Sequence, residues 1–294
     1  MTGDEPLLSA ALMRRLEALS LVTGSASGSF LKGERHSVKR GYGQDFLDYR
    51  DYGPGDDPRY VDWNAAARTN KLFVRVFHEE RDLKLVLVID TSESMTFGLP
   101  TRLHFAAQIA AATGFVALSS GDRVTVQPFA TTLATSLPSL RGKTGAPHLF
   151  NYLKGLTPGG GTAFAPSLYR LAAALHEPST VIIASDLYDD SWRHGIAALL
   201  ARGNKVILLH ILTPQEFEPQ LDGALNLVDC ETGATVDVTI SGPLLDRYTT
   251  ALRSFISEAR KWCTAHGVTY INLQTTDPLE KVIMTTLRQK QVLC

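Results

Sequence analysis

The sequence predicts an α/β fold, a doubly wound and mostly parallel sheet that follows a small irregular or β-rich N-terminal subdomain. From Leu83 onward, short apolar runs alternate with segments of helical apolar spacing, which is typical of a parallel sheet covered by helices on both faces. Residues 30–81 are instead rich in glycine, aromatic and charged side chains and lack long apolar runs. The chain is 44% hydrophobic and 20% charged, so it can bury an ordinary globular core.

The individual elements follow from the spacing of apolar residues along the chain. In the first part, a spacing of three to four predicts a helix over Leu7–Leu21, and alternation predicts a strand over Leu72–Phe77. In the second part, apolar runs predict strands over 84–90, 122–129, 180–185, 204–211 and 268–273, with a short edge strand over 131–137 and a hairpin over 225–240. Helical spacing predicts helices over 101–119, 146–153, 164–176, 190–202, 243–266 and 278–290. We therefore divide the chain into residues 1–81, the first helix with the small subdomain, and residues 82–294, the α/β domain.

Composition and charge favour a cytoplasmic protein without a membrane span. The longest apolar runs, Leu83–Ile89 and Val206–Leu212, are far shorter than the roughly 18 residues that indicate a transmembrane helix. The acidic N-terminus lacks the basic start of a signal peptide. Cys230, Cys263 and Cys294 form no C-x-x-C pair, which favours reduced thiols. A net charge of −1 gives no electrostatic reason to expect nucleic acid as a partner.

Three separated segments together predict a divalent cation site. A buried strand ends in Asp90-Thr91-Ser92-Glu93-Ser94, glycines precede Thr162, and a second apolar strand ends in Ser185-Asp186. In open α/β sheets ligands bind at the carboxyl ends of the strands, where both acidic segments fall. Hydroxyl and carboxylate oxygens suit Mg²⁺, or another divalent cation such as Mn²⁺ or Ca²⁺. The predicted ligands are Asp90, Ser92, Ser94, Thr162 and Asp186. The alternative is that the three hydroxyl groups only cap helices.

This ligand set resembles the metal-ion-dependent adhesion site of von Willebrand factor A-type domains. The D-x-S-x-S run, the threonine after glycines and the aspartate after a second strand occur in the same order. The resemblance implies a von Willebrand factor A-like sheet in residues 82–294. It also implies that the hydroxyl ligands, which are neutral, leave part of the positive charge of the cation unbalanced. An Asp or Glu of a protein partner then completes the coordination.

The first region carries a second signature. Phe46, Arg50, Tyr52, Gly55, Asp56, Asp57, Arg59, Asp62 and Trp63 match the pattern F-x-x-x-R-x-Y-x-x-G-D-D-x-R-x-I-D-W, with Val61 in place of isoleucine. With the downstream site, this stretch resembles the bacterial family catalogued as domain of unknown function 58, over roughly residues 25–290.

Two interpretations of the signature remain open. Its charged residues fasten the subdomain through mostly buried ion pairs, or the stretch is a second binding surface with Trp63 or Tyr52 as an anchor. The residues singled out as structural or partner-binding are Arg50, Asp56, Asp57, Arg59, Asp62 and Trp63.

The expected function is a non-enzymatic, metal-dependent protein-binding module. Relatives of the resembled family are linked with MoxR-type AAA+ ATPases, which implies an adaptor or co-chaperone role with such an ATPase as the partner. The alternative is a metal-dependent hydrolase that uses the same cation to activate water. No second carboxylate stands beside Asp90 in a D-x-D arrangement, which disfavours that alternative.

Overall fold

The computed structural model describes residues 6–22, 37–53, 57–69, 71–79 and 83–294. The chain divides into two units, one formed by Met1–Val22 with Leu83–Cys294 and the other by Thr23–Asp82. The sequence analysis grouped the first helix with the small subdomain, whereas the structure places it in the large unit. Leu8, Leu12 and Leu16 are buried there in the same hydrophobic cluster as the central sheet, and this burial holds the helix in place.

The strands and helices are numbered along the chain. The strands are β1 (Ser37–Asp51), β2 (Phe73–Glu79), β3 (Lys84–Asp90), β4 (Arg123–Phe129), β5 (Leu137–Arg141), β6 (Thr180–Ser185), β7 (Lys205–Leu212), β8 (Gly223–Val228), β9 (Thr235–Ile240) and β10 (Thr269–Gln274). The helices are α1 (Ala10–Leu16), α2 (Trp63–Thr69), α3 (Arg102–Ser119), α4 (Ala146–Lys154), α5 (Phe164–Ala174), α6 (Trp192–Ala201), α7 (Pro214–Phe217) and α8 (Gly242–Ala265). Three short consecutive helical segments, Leu279–Lys281, Val282–Thr286 and Leu287–Gln289, occupy the predicted last helix.

The large unit is built on a mostly parallel, six-stranded sheet with the strand order β10-β7-β6-β3-β4-β5. Only β5 runs antiparallel to its neighbour. The chain leaves β3 to form β4 on one side and later returns to form β6 on the other side. The order of the strands therefore reverses at β3, and the crevice at its carboxyl end is the usual ligand-binding position of doubly wound sheets.

Helices cover both faces of this sheet, which explains the uninterrupted apolar runs of its strands. On β3, Leu85, Leu87 and Ile89 belong to one hydrophobic cluster, which also contains buried residues of α1, α3 and α4. Val86 and Val88 belong to a second cluster with buried residues of α5, α6 and α8. Alternate residues of β3 thus pack into the hydrophobic cores on opposite faces of the sheet. The prediction of a mostly parallel α/β sheet with helices on both faces is confirmed.

The predicted edge strand over 131–137 is wrong. A tight turn follows β4, because the Ala130 amide donates to the Thr132 carbonyl at 3.1 Å and folds the chain back. Leu133 forms only an isolated antiparallel bridge to Phe129, and the continuous edge strand is β5, which starts at Leu137 opposite Val126. Pro138 is tolerated there because an edge strand does not need every backbone donor.

The small unit contains one antiparallel pair, β1 with β2, whose register shifts more than once. A short 3₁₀ turn, Pro58–Tyr60, and the helix α2 lie between the two strands in the sequence. Val61 forms an isolated bridge to Val74, and both side chains are buried. The predicted β-rich character of this region agrees with the described residues.

Within the described residues, no helix combines the length and the apolar character needed to cross a lipid bilayer.

Candidate functional site

Two buried aspartates meet at the carboxyl edge of the central sheet. Asp90 is the last residue of β3, and Asp186 directly follows β6. The two strands are parallel neighbours with Ile89 opposite Ala184, so both acids emerge at the same edge. Asp90 is 0% exposed and Asp186 is 1% exposed. Aspartates are rarely so deeply buried without partners, so their surroundings determine what this edge can bind.

Two serine hydroxyls bridge the aspartates in a continuous chain. Ser92 Oγ donates to Asp90 Oδ1 at 2.7 Å, and Ser94 Oγ donates to Asp186 Oδ2 at 2.7 Å. The two serine oxygens are themselves 3.0 Å apart. Ser92 begins a 3₁₀ turn over Glu93–Thr96, which brings both hydroxyls to the same side. Four of the five predicted ligands are therefore in hydrogen-bond contact.

This chain of hydrogen bonds lacks one proton when both aspartates are ionised. Each serine hydroxyl has a single proton, and each donates it to the neighbouring carboxylate. The contact between Ser92 Oγ and Ser94 Oγ then has no proton, and two oxygens face each other with lone pairs. Either a proton on one aspartate or a cation at the serine oxygens resolves this shortage.

The raised pKa of Asp90 agrees with this shortage of one proton. Burial and, to a smaller extent, the nearby charge of Asp186 together raise the pKa of Asp90 to about 7. Hydrogen bonds from Ser185 and Ser92 only partly oppose these effects. Burial also raises the pKa of Asp186, although the positive charge of Arg102 opposes that rise. The site thus holds more negative charge than its own side chains neutralise.

Arg102, the first residue of α3, is buried beside Asp186 and anchors it. Arg102 Nη1 donates to Asp186 Oδ2 at 2.7 Å and to the Ser94 carbonyl at 2.9 Å. Its Nη2 forms an ion pair with Glu216 Oε1 at 2.5 Å. The aromatic rings of Phe97 and Tyr188 each lie 5.4 Å from the guanidinium carbon. Asp186 and Glu216 share this single positive charge, and no hydrogen bond to Asp90 is among the contacts of Arg102.

Glu216 completes this buried network. Its Oε2 accepts from the Thr213 amide at 2.6 Å and from the Thr213 hydroxyl at 2.9 Å, and its Oε1 accepts from the Tyr188 hydroxyl. Burial alone would raise the pKa of Glu216, but the hydrogen bonds and charge of Arg102 hold it below its usual value. Glu216 is therefore a fixed anion that holds Arg102 in place.

The chain makes a strained turn just after Asp186. Leu187 has a φ of 62°, in the left-handed region that a branched side chain rarely adopts. Its amide donates to Ser185 Oγ at 3.0 Å, and Ser185 Oγ donates to Asp90 Oδ2 at 2.7 Å. Backbone strain of this kind is concentrated at functional sites. The turn links the end of β6 directly to the Asp90 carboxylate.

Thr162, the fifth predicted ligand, lies on a loop that packs against the Asp90 loop. The Glu93 amide donates to the Gly160 carbonyl, and the Gly159 amide donates to the Thr91 carbonyl, both at 2.9 Å. Gly160 has a φ of 76°, which this turn obtains from a glycine. The Thr162 side chain does not take part in the hydrogen bonds of Ser92 and Ser94, because its hydroxyl donates to Glu231 Oε1 at 2.9 Å. The two loops meet, while the hydroxyl of Thr162 is bound to a residue that the sequence analysis did not select.

The donor set at this edge fits a hard divalent cation. Two carboxylates and the serine and threonine hydroxyls are all oxygen donors, and the serine oxygens present the lone pairs described above. Across residues 6–22, 37–53, 57–69, 71–79 and 83–294, no three His, Cys, Asp or Glu side chains form a metal-binding group. A site made mainly of hydroxyl groups does not form such a group, and its residues would be Asp90, Ser92, Ser94, Thr162 and Asp186.

The signature residues of the small unit lie in different environments. Asp62 is buried, and its carboxylate accepts from the Tyr49 hydroxyl at 2.7 Å and from the Ala65 amide at 3.0 Å. Arg59 pairs with its neighbour Asp57 at 2.6 Å, but the arginine side chain is 83% exposed. Trp63 is 63% exposed. The expectation of mostly buried charges is therefore right for Asp62 and wrong for Arg59. Asp56 lies outside the described residues, as does the side chain of Arg50.

Replacing Asp62 with alanine should destabilise the segment around α2 by about 1–2 kcal/mol. The substitution removes the acceptor for the Ala65 amide at the start of this helix, and loss of an N-cap costs about 1 kcal/mol. It also removes the partner of the Tyr49 hydroxyl. Hydrogen exchange of the amides of residues 63–69 measures the effect. Arg59→Ala is the control, since an exposed pair contributes little; equal exchange in both variants would contradict the capping role.

Sequence reasoning missed four residues of the site: Arg102, Ser185, Glu216 and Glu231. Ser185 had a local signal, because it precedes a predicted ligand at the end of a buried strand. Arg102 begins a helix that is otherwise apolar and alanine-rich, and a buried arginine in such a helix calls for acidic partners. Glu216 had a local signal only for its contacts with Thr213, the T-x-x-E capping box at the start of α7, and its contact with Arg102 joins distant segments. Glu231 carries no local signal, because its contact with Thr162 also joins distant segments.

The chain is similar to uncharacterized bacterial proteins and, more distantly, to solved structures. Uncharacterized proteins of Mycobacterium tuberculosis and Mycobacterium bovis are each 27% identical to this chain over 281 residues, which are 92% of this chain and 86% of theirs. Among solved structures, the chain is similar to the conserved hypothetical protein BatB from Bacteroides thetaiotaomicron, with a TM-score of 0.44 and 15% identity over 71% of this chain and 98% of that one. It is also similar to an aerotolerance-related membrane protein from Bacteroides fragilis, with a TM-score of 0.45 and 16% identity over the same shares. These structural likenesses are too distant to bear on function.

The family comparison is more extensive. The profile of the family described as protein of unknown function DUF58 matches residues 48–255. This match spans well over half of the chain and includes both the end of the signature stretch and the whole candidate site. The chain therefore belongs to the DUF58 family of proteins of unknown function.

Proposed function

We propose that this protein is a metal-dependent protein-binding module of the von Willebrand factor A type. In this proposal Mg²⁺, or Mn²⁺ or Ca²⁺, binds at Asp90, Ser92, Ser94, Thr162 and Asp186. An aspartate or glutamate of a protein partner then completes the coordination, and no chemical reaction follows. The protein acts as an adaptor or co-chaperone, with a MoxR-type AAA+ ATPase as the partner.

The observation that carries this proposal is the proton shortage between two buried aspartates. When both aspartates are ionised, Ser92 and Ser94 each donate to a carboxylate at 2.7 Å, and their oxygens, 3.0 Å apart, are left without a proton between them. A divalent cation supplies the missing positive charge. Since the hydroxyl ligands are neutral and Arg102 already pairs with Asp186, such a cation retains positive charge for a partner's carboxylate.

Exposed apolar side chains beside the site support a protein as the ligand. Phe97 and Tyr188 are both 49% exposed, and both contact Arg102 through their rings. Leu99, two residues beyond Phe97, is 77% exposed. Aromatic and aliphatic anchors that surround a central polar contact are common at protein interfaces. They favour a partner whose acidic residue is flanked by apolar ones.

The partner itself comes from the family resemblance alone. A pulldown with the purified full-length chain and a MoxR-type ATPase from the same source tests it. We expect retention of the ATPase in Mg²⁺, release by EDTA, and no retention by the Asp90→Asn variant. Asp190→Asn is the matched control, because Asp190 is an exposed aspartate four residues from Asp186.

The possible outcomes separate the two functions. Metal-independent retention would contradict docking through the cation, and no retention in any condition would contradict the choice of partner. Turnover of phosphoesters or peptides that requires Asp90 would replace the adaptor with a hydrolase that uses the cation to activate water.

A further inference from the structure

The hairpin formed by β8 and β9 brings an acidic side chain to the candidate metal site. Glu231 lies in the turn of this hairpin, 69 residues from Thr162 in the sequence. Its Oε1 accepts from the Thr162 hydroxyl at 2.9 Å, and its Oε2 accepts from the Thr162 amide at 3.0 Å. Most of the hairpin is exposed, but Glu231 is half-buried by this contact. One carboxylate thus accepts from both hydrogen-bond donors of a single predicted ligand.

The hairpin turn is built so that Glu231 has a defined direction. Asp229 Oδ1 accepts from the amides of Glu231 at 2.9 Å and Thr232 at 2.7 Å. The Asp229 amide donates to the Ala234 carbonyl at 2.8 Å, and the Gly233 amide donates to the Asp229 carbonyl at 2.9 Å. Such an aspartate-capped turn orders the backbone that carries Glu231 without help from the rest of the fold.

The glycine before Thr162 makes room for the carboxylate. A Cβ added at Gly161 would lie 3.3 Å from Glu231 Oε2, which is closer than most such contacts. The absence of a side chain at Gly161 therefore leaves room for the Glu231 carboxylate. The same glycine-rich loop also packs against the Asp90 loop.

We propose that Glu231 is a positioning residue of the metal site that acts through Thr162. The Thr162 hydroxyl has one proton and two lone pairs, and its proton is donated to Glu231. Both lone pairs are then left for a cation, and the hydroxyl cannot turn its proton towards it. Carboxylates that hold the outer proton of a ligand in this way raise its affinity for metal. This inference rests on the metal binding proposed above.

The test measures Mg²⁺ affinity by calorimetry on the full-length chain. We expect Glu231→Gln to weaken Mg²⁺ binding about tenfold or more, which is the usual effect of losing an outer carboxylate. The matched control is Asp237→Asn, which removes one negative charge from β9 of the same hairpin, where Asp237 accepts from Asn226. Because exposed charges are screened, the control should bind Mg²⁺ within about twofold of the wild type.

A double-mutant cycle shows whether Glu231 acts through Thr162. Thr162→Val removes the hydroxyl but keeps the shape, and Glu231→Gln should then cause no further loss of affinity. Hydrogen exchange of the wild type adds a measurement that needs no variant. Mg²⁺ should slow exchange of the amides of residues 229–234, because metal binding stabilises the contacts on which the site depends. Melting in EDTA, expected to be equal for wild type and Glu231→Gln, shows that both are folded.

The contrary outcomes are distinct. Wild-type affinity in Glu231→Gln, an equal loss in Asp237→Asn, or additive losses in the double variant would each overturn the role of Glu231 and leave the metal site standing. Unchanged Mg²⁺ affinity with tighter capture of an acidic partner would instead make Glu231 a competitor of the partner's carboxylate. If the wild type binds no Mg²⁺, the proposed function and this inference fall together.

Discussion

Replacing Arg102 with methionine should lower the free energy of unfolding by about 3–5 kcal/mol. The Arg102 side chain is 4% exposed and pairs with Asp186 at 2.7 Å and with Glu216 at 2.5 Å. Methionine fills a similar volume but leaves both carboxylates buried without their cation, and removing one member of a buried ion pair costs an amount of this order. Chemical denaturation in EDTA at neutral pH measures the change.

The matched control is Arg15→Met. Arg15 pairs with Glu280 at the surface, where both side chains are more than half exposed. Surface ion pairs contribute about 0–1 kcal/mol, so this variant should unfold close to the wild type. A loss below about 1 kcal/mol in Arg102→Met would contradict the anchoring role of the buried arginine.

A second substitution separates lost charge from lost packing. If the cost of Arg102→Met comes from the unpaired acids, then adding Glu216→Gln should recover part of it, because the double variant buries one charge fewer. The recovery should be incomplete, since Glu216 also accepts three hydrogen bonds from Thr213 and Tyr188. Further loss in the double variant would indicate that packing of Arg102 between Phe97 and Tyr188 dominates.

The parts of the site that lie at strand ends were predictable from the sequence. Asp90 and Asp186 each follow an unbroken apolar run, and runs of that kind form parallel strands whose carboxyl ends share one edge. Ser92 and Ser94 follow Asp90 closely in the sequence, so local backbone geometry determines the contacts among these three residues. These four residues meet because of topology and short-range geometry, which the apolar pattern encodes.

The residues that depend on long-range side-chain packing were not predictable. Arg102 reaches Glu216 across 114 residues, and Glu231 reaches Thr162 across 69. No periodicity marks such contacts, because they are determined by how loops and a hairpin pack on the finished sheet. The edge strand was misplaced for a related reason. Backbone hydrogen bonds from the Ala130 amide to the Thr132 carbonyl and from the Ala134 amide to the Pro128 carbonyl close a turn, and the apolar spacing of residues 131–137 does not reveal it.

Relative to an Asp90→Asn variant, the metal-free wild type should lose stability as pH rises from about 4 to 7, and Mg²⁺ should reverse this loss. The folded chain retains the Asp90 proton up to about pH 7, because burial and the charge of Asp186 raise its pKa to about 7. The unfolded chain releases that proton near pH 4. Between these values Asp90 binds its proton more strongly in the folded state than in the unfolded state, so the contribution of Asp90 to the free energy of unfolding decreases with rising pH. A bound cation replaces the proton, so Mg²⁺ affinity should rise with pH up to about 7 and then level off.

Asp90→Asn should remove the Asp90 contribution to the pH dependence and the response to Mg²⁺ together. Asparagine has nearly the shape of aspartate but no charge, so the variant avoids burying an ion beside Asp186. At pH 8 in EDTA we expect it to be more stable than the wild type by up to about 4 kcal/mol, the equivalent of the raised pKa of Asp90. At pH 8 in excess Mg²⁺ the wild type should gain stability while the variant does not, because binding stabilises only a state that has the site.

Thermal melting of both proteins and of the Asp190→Asn control, at pH 5 and pH 8 with EDTA or Mg²⁺, measures all of these effects. The control should melt like the wild type, since Asp190 is exposed. A variant less stable than the wild type at pH 8 in EDTA would mean that the Asp90 charge is satisfied by its hydrogen bonds alone. The proton shortage between Ser92 and Ser94 would then not exist, and the observation that carries the proposed metal site would be lost.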